Sequence, residues 1–184
     1  MSSVLQEKIG VAPQVVRNNP TVPRTIGAID RDLGVIDLLN KDKATPEIIR
    51  DYLSGAQTNL SKLRSQLSAR SDEKIEETIE AASKGLTRII STGVGWIGDL
   101  GKDSDPESLQ VQREALCQQM RETSGIAEHT KDLAQFQLLQ SNLLECYKLA
   151  DQYRTSAGGN DSRISRIMND PVLKALAHAA TPPK

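Results

Sequence analysis

Residues 71–101 read SDEKIEETIEAASKGLTRIISTGVGWIGDLG, and two fold classes compete for them. The last third contains GVGWIG (93–98), a literal GxGxxG, the spacing with which nucleotide-binding enzymes seat a pyrophosphate at a helix start. The first two thirds place Ile75, Ile79, Ala82, Leu86 and Ile89 at spacings of 4, 3, 4 and 3, the seam of a helix that meets another helix. A dinucleotide loop works only when a strand feeds the glycine turn and a helix leaves it. Here a helical pattern feeds it, Asp99-Leu100-Gly101 and a charged linker follow it, and no stretch of the chain reads as a strand. The region therefore belongs to an all-α protein. Its glycines are expected to end the helix near residue 92 and to form a corner, with positive φ values, where Val94, Trp96 and Ile97 pack on the end of a bundle.

The same alternation recurs on both sides. Upstream, Ile49, Leu53, Ala56, Leu60, Leu63 and Leu67 stand 4, 3, 4, 3 and 4 apart, behind Thr45 as an expected N-cap, Pro46 in the first turn and Glu47 at the positive end of the helix dipole. With Ser71 as the cap of the next run, the two seams form an antiparallel hairpin over 46–69 and 71–92. Downstream, Asp105-Pro106-Glu107 opens a segment free of proline until Pro171. It carries Leu109, Leu116 and Met120, then Phe136, Leu139, Leu143, Cys146, Ala150 and Tyr153 at spacings of 3, 4, 3, 4 and 3. As one helix over 106–155 it would reach about 75 Å, long for a chain of this size. RETSGIAEHT (121–130) is its weak point, where Ser124 could cap a fresh start and the helix kinks or splits.

A shorter stripe, Ile26, Ile29, Leu33 and Ile36, predicts a helix after Thr25, over 26–39. Residues 1–23, with prolines at 13, 20 and 23, read as a flexible N-terminal segment. The helical bundle domain then covers 24–156, and Gly158-Gly159-Asn160 opens a C-terminal segment, 157–184, of short helical turns and a tail, with Asp170 capping before Pro171. The expected architecture is an all-α helical bundle with coiled-coil character, a helical hairpin packed against one long helix that kinks or splits at 121–130.

Composition narrows the class of work. Aromatics are only 3% of the 184 residues, so the core must be aliphatic. With Lys+Arg at 23 against Asp+Glu at 24, no basic field exists to drive phosphate-backbone binding, and nucleic acid is not an expected partner. The mildly basic ends, with Arg17, Arg24 and Arg31 at one and Arg163, Arg166 and Lys174 at the other, read as solvated faces. No apolar run is long enough for a membrane span, and the first 23 residues lack the apolar core of a Sec-type signal. Cys117 and Cys146 show no disulfide framework, which suits a reducing, cytoplasmic setting.

Candidate chemistry is sparse. His129 has Glu128 beside it and Asp132 three positions on, too few ligands for a metal, and His178 carries less signal still. Cys146 lies on a seam and Cys117 beside one, without a base or cation to activate either thiol. The acids of DEKIEETIE (72–80) alternate with Ile75 and Ile79 and form a wet face. No catalytic, cofactor-binding or metal residue is assigned. The expected function is a non-enzymatic protein–protein interaction module, a scaffold, adaptor or assembly subunit. It would meet a helical protein partner, or a second copy of itself, through Trp96, Ile97, Phe136, Leu139, Leu143 and Tyr147. Two alternatives stand beside it. One is a component or substrate of a bacterial specialised secretion system, exported by a non-Sec route on an unfolded N-terminal signal; the other is an enzyme or ligand-binding bundle with a site near Trp96 or His129.

Overall fold

The computed structural model describes residues 16–101, 107–158 and 164–180, and among them there are seven helices and no strand. In chain order these are α1 (Val22–Lys41), α2 (Glu47–Ser68), α3 (Ile75–Gly101), α4 (Glu107–Glu128), α5 (Leu133–Ala157) and two short ones, α6 (Ser165–Asn169) and α7 (Pro171–His178). The protein is an all-α helical bundle. Each long helix packs on the next, α1 on α2, α2 on α3, α3 on α4, and α4 on α5. α7 then lies against both α5 and α1 and closes the circuit.

The α2 seam behaves as its spacing predicts. Ile49, Leu53, Ala56, Leu60, Leu63 and Leu67 are all buried, and the hairpin partner is α3. On α3 the buried row is Ile75, Ile79, Ala82, Leu86, Ile90, Gly93, Ile97 and Leu100. Ile89 is only partly buried. An extra four-residue step at Leu86 breaks the four-three alternation, so the row tracks the natural pitch of a straight helix instead of a sustained heptad. Close approach is set by glycine: a Cβ on Gly85 would stand 3.1 Å from the Ala56 Cα.

Three expectations about helix ends are corrected. First, α3 does not fray at residue 92; it runs unbroken through GVGWIG to Gly101, and no described glycine has a positive φ. The intrinsic cost of glycine in a helix, about 1 kcal/mol each, is outweighed by the packing of Ile97 and Leu100, both buried. A Cβ on Gly93 would stand 3.0 Å from the Met120 Cε, so a side chain there must displace that methyl. The left-handed residues lie elsewhere, Arg70 and Lys74 in the turn between α2 and α3, each with φ 54°. Arg70 is held by its Nη1, which donates to the carbonyls of Val16 and Asn19 at 3.1 and 3.0 Å.

Second, the segment expected to kink or split at 121–130 does split there, into α4 and α5 packed side by side, but at a different residue. The break falls after Glu128, not at Ser124. Thr123 stays helical because its hydroxyl donates to the Gln119 carbonyl at 2.7 Å and meets the Cys146 Sγ at 3.3 Å. At the true break a capping box forms: the Asp132 carboxylate accepts from the Gln135 amide at 2.8 Å, and the Gln135 Oε1 accepts from the amides of Asp132 and Lys131. Third, neither Thr45 nor Ser71 caps. The Thr45 hydroxyl reaches back to the Leu39 carbonyl at 2.6 Å, tying the end of α1 to the turn, and α3 starts four residues after Ser71.

α1 begins at Val22 rather than after Thr25, with Pro23 in its first turn, where no amide hydrogen is needed. Within the segment expected to be flexible, Val16 is fully buried; residues 1–15, like the proposed cap Asp105 and the TPPK tail, lie outside the described residues. Ile164, Ile167, Val172, Leu173 and Ala175 join the same apolar core as α1–α5, so α6 and α7 complete the bundle. No described helix is long and apolar enough to cross a membrane.

Candidate functional site

α1 was expected to bury Ile26, Ile29, Leu33 and Ile36. Its buried face instead runs through Thr25, Ala28, Ile29, Asp32, Val35, Ile36 and Leu39, leaving Ile26 and Leu33 only partly covered. That rotation puts a carboxylate in the interior. Asp32 is 1% exposed, and α5 supplies its partners. The Tyr147 hydroxyl donates to Oδ1 at 2.5 Å and the Gln140 Nε2 donates to Oδ2 at 2.7 Å. Gln140 and Tyr147 are two turns apart on α5, on the face that also carries Leu143, so one stripe presents both donors to one acid.

Loss of solvent pushes the Asp32 carboxyl up to about 6, against the opposing pull of the Tyr147 and Gln140 hydrogen bonds and the nearby Arg31 charge. The same burial, together with the carboxylate beside it, holds the Tyr147 hydroxyl well above its ordinary value, so it stays a donor.

Above this group opens a cleft of about 190 Å³ between the N-terminal half of α1 and α5. Arg24 and Arg31 stand on one wall, Gln137 and Ser141 on the other, and Gln140 reaches from the cleft to Asp32. The walls are braced by Gln137, whose Nε2 donates to the hydroxyls of Thr21 at 2.6 Å and Thr25 at 3.0 Å. A larger groove, about 440 Å³, lies where α7 meets the C-terminal ends of α1 and α5. Its ionisable side chains include Asp151, Lys174 and His178, all exposed and of mixed sign. The smaller cleft has the buried polar floor that makes a site specific.

The residues expected to meet a partner are covered by the chain's own helices. Ile97, Phe136 and Leu139 are fully buried, and Leu143 and Tyr147 are 3% exposed; of the six, only Tyr147 reaches the Asp32 group. Trp96 does not project from a loop. It packs, partly buried, on the core, and its Nε1 donates to the Asp170 Oδ2 at 2.8 Å. Asp170 also caps α7, its Oδ1 accepting from the amides of Val172 and Leu173 at 3.0 Å. Burial raises the Asp170 carboxyl, with these hydrogen bonds opposing.

The remaining candidates fall apart in space. His129 is exposed in the turn between α4 and α5, where Asp132 is engaged as a cap, and the described residues contain no group of three or more acids, histidines or cysteines fit for a metal. Both cysteines are buried, and neither is in a disulfide. Burial pushes the Cys146 thiol up to about 11, away from the thiolate a nucleophile needs. Cys117 faces the Val94 carbonyl. Glu80 pairs with Lys84 on the wet side of α3. Comparison with protein families, with curated proteins and with solved structures finds no match to this chain.

Proposed function

We propose that this chain is a non-enzymatic helical protein–protein interaction module and that it holds its partner at the cleft between α1 and α5. The observation that carries the reading is Asp32, a carboxyl kept in the α1–α5 interface with a donor on each oxygen and linked through Gln140 to an open polar recess. Burying an ionisable group costs stability that an aliphatic residue at the same place would not. The arrangement suits positioning better than bond making, because the acid is locked by two donors and its tyrosine neighbour is held protonated. Next in sequence to Gln137 of the recess, Leu138 is 55% exposed on α5 and offers an apolar contact.

A photo-reactive phenylalanine analogue placed at position 138 tests the reading, with one at Val111, 69% exposed on α4, as the control. Irradiation with extract of the source cells is expected to give a discrete adduct, to a partner or to a second copy, from position 138 and not from 111. Equal adducts from both positions, or none from either, would overturn the assignment.

A further inference from the structure

The cleft has a chemical bias that its proposed role alone does not require. Among the described residues lining it, the charged groups are Arg24 and Arg31 and none is a carboxylate; the others are Thr21, Thr25, Gln137, Gln140 and Ser141 with the methyls of Ala28 and Leu144. Arg24 and Arg31 are seven residues apart on α1, two helical turns, so both guanidinium groups rise from one face about 10 Å apart at the backbone. Long side chains from that spacing can reach a single anion. Neither arginine is in a salt bridge; Arg31 acts on Asp32 through its charge alone, and the bridges of the neighbouring region join Arg64 to Asp30 and Lys41 to Asp37.

A second observation points to the same ligand. The Nε of Arg31 is buried and has no hydrogen-bond acceptor. A buried donor left without a partner is costly, and a water or a ligand that reaches it relieves the cost. The Asp32 oxygens accept from Tyr147 and Gln140 and the hydroxyls of Thr21 and Thr25 from Gln137, and none of them accepts from the Arg31 Nε. A volume of about 190 Å³ admits a phosphate group and a short carbon stub, given about 30 Å³ for each water-sized unit.

We infer that the α1–α5 cleft is a receptor for a phosphate monoester, with Arg24 and Arg31 binding its oxygens and Ser141 closing the opposite side. A tetrahedral dianion offers three oxygens to two forked donors, which a single planar carboxylate cannot share as well. This deepens the reading of the cleft as the contact surface, and rests on it for the place where the group is delivered.

The test is a titration of the full chain, followed by amide NMR, with inorganic phosphate, O-phosphoserine and glycerol 3-phosphate, and with acetate and chloride at matched ionic strength. Saturable shifts at Thr21, Thr25, Gln137, Gln140 and Ser141 are expected with the three phosphates and not with acetate or chloride. Stronger binding of O-phosphoserine than of glycerol 3-phosphate would identify a modified side chain as the source, and the reverse a small metabolite. Arg31→Gln should weaken binding at least about tenfold, the scale of one lost charge-assisted hydrogen bond. Ser141→Phe, at an exposed position, should block the cleft while both cations remain. Equal shifts with acetate, shifts spread over the surface, or an Arg31→Gln variant that binds as well as the parent would overturn the phosphate assignment. If cross-linking at position 138 persisted in that event, only the ligand class would fall.

Discussion

The α2–α3 and α1–α5 contacts join helices in opposite ways, the first pair in close backbone approach and the second meeting at few points and mainly through side chains. Between α2 and α3 the interface is dry: leucine and isoleucine fill it, and the Gly85–Ala56 approach removes the space between the rods. Between α1 and α5 an acid, a phenol and an amide occupy positions that leucine could take, below a recess that admits solvent. Aliphatic burial yields about 25 cal/mol for each Å² removed from water, whereas a buried carboxyl is tolerated only while its donors stay in place. The first contact is fitted for stability, the second for a defined shape with chemistry in it.

Four substitutions sharpen that contrast. The largest effect belongs to the dry contact: Leu60→Ala, at a fully buried position, should lower stability by about 3 kcal/mol through lost transfer energy and a cavity. Urea unfolding at constant m would show it, and a loss below about 1 kcal/mol would mean that α2 and α3 close over the gap.

At the wet contact the effect should depend on pH. Burial raises the Asp32 carboxyl from 3.8 to about 6, so between those values the folded chain holds a proton that the unfolded chain has released. Its contribution to stability is therefore full below about pH 4 and is lost as pH rises through about 6. Asp32→Asn stays neutral throughout, and Gln140 can turn its amide to suit it. Relative to the parent, the variant should gain on the order of 2 kcal/mol between pH 4 and 7. Unfolding midpoints across that range test it, and parallel curves would show that Asp32 does not take up the proton.

The smallest effect belongs to neither contact. Gly95 lies in α3 with no atom within 4 Å of the place its Cβ would take, so Gly95→Ala should stabilise by about 0.5–1 kcal/mol. The same change at Gly93 must push the Met120 methyl aside and should gain less. Equal thermal shifts for the two would show that Met120 yields freely.

What could be read in advance follows the same division. Dry seams announce themselves by spacing, and every apolar position assigned to the α2 seam is buried. Helix ends were less legible, for two different reasons. GVGWIG and TSG have low local helix propensity, and neighbouring helices override it, which local sequence does not reveal. Asp132 and Gln135 were a readable capping box ahead of Phe136, but an eye on the weak TSG stretch passes over them. The Asp32 site had a faint signal, an acid three positions after Ile29 and four before Ile36, on the buried stripe. Its meaning depends on Gln140 and Tyr147, 108 and 115 residues away, and no local pattern connects them.

The joint between α7 and α1 differs from those among α1 to α5, since no short loop spans it. It is a clasp held by side chains alone, steadied by an indole from α3 gripping the acid at the head of α7. Mechanical integrity of the ring is thus delegated to its least tethered member. Whatever loosens that grip would leave α1 fastened to α5 only by the hydrogen bonds of Gln137, Gln140 and Tyr147.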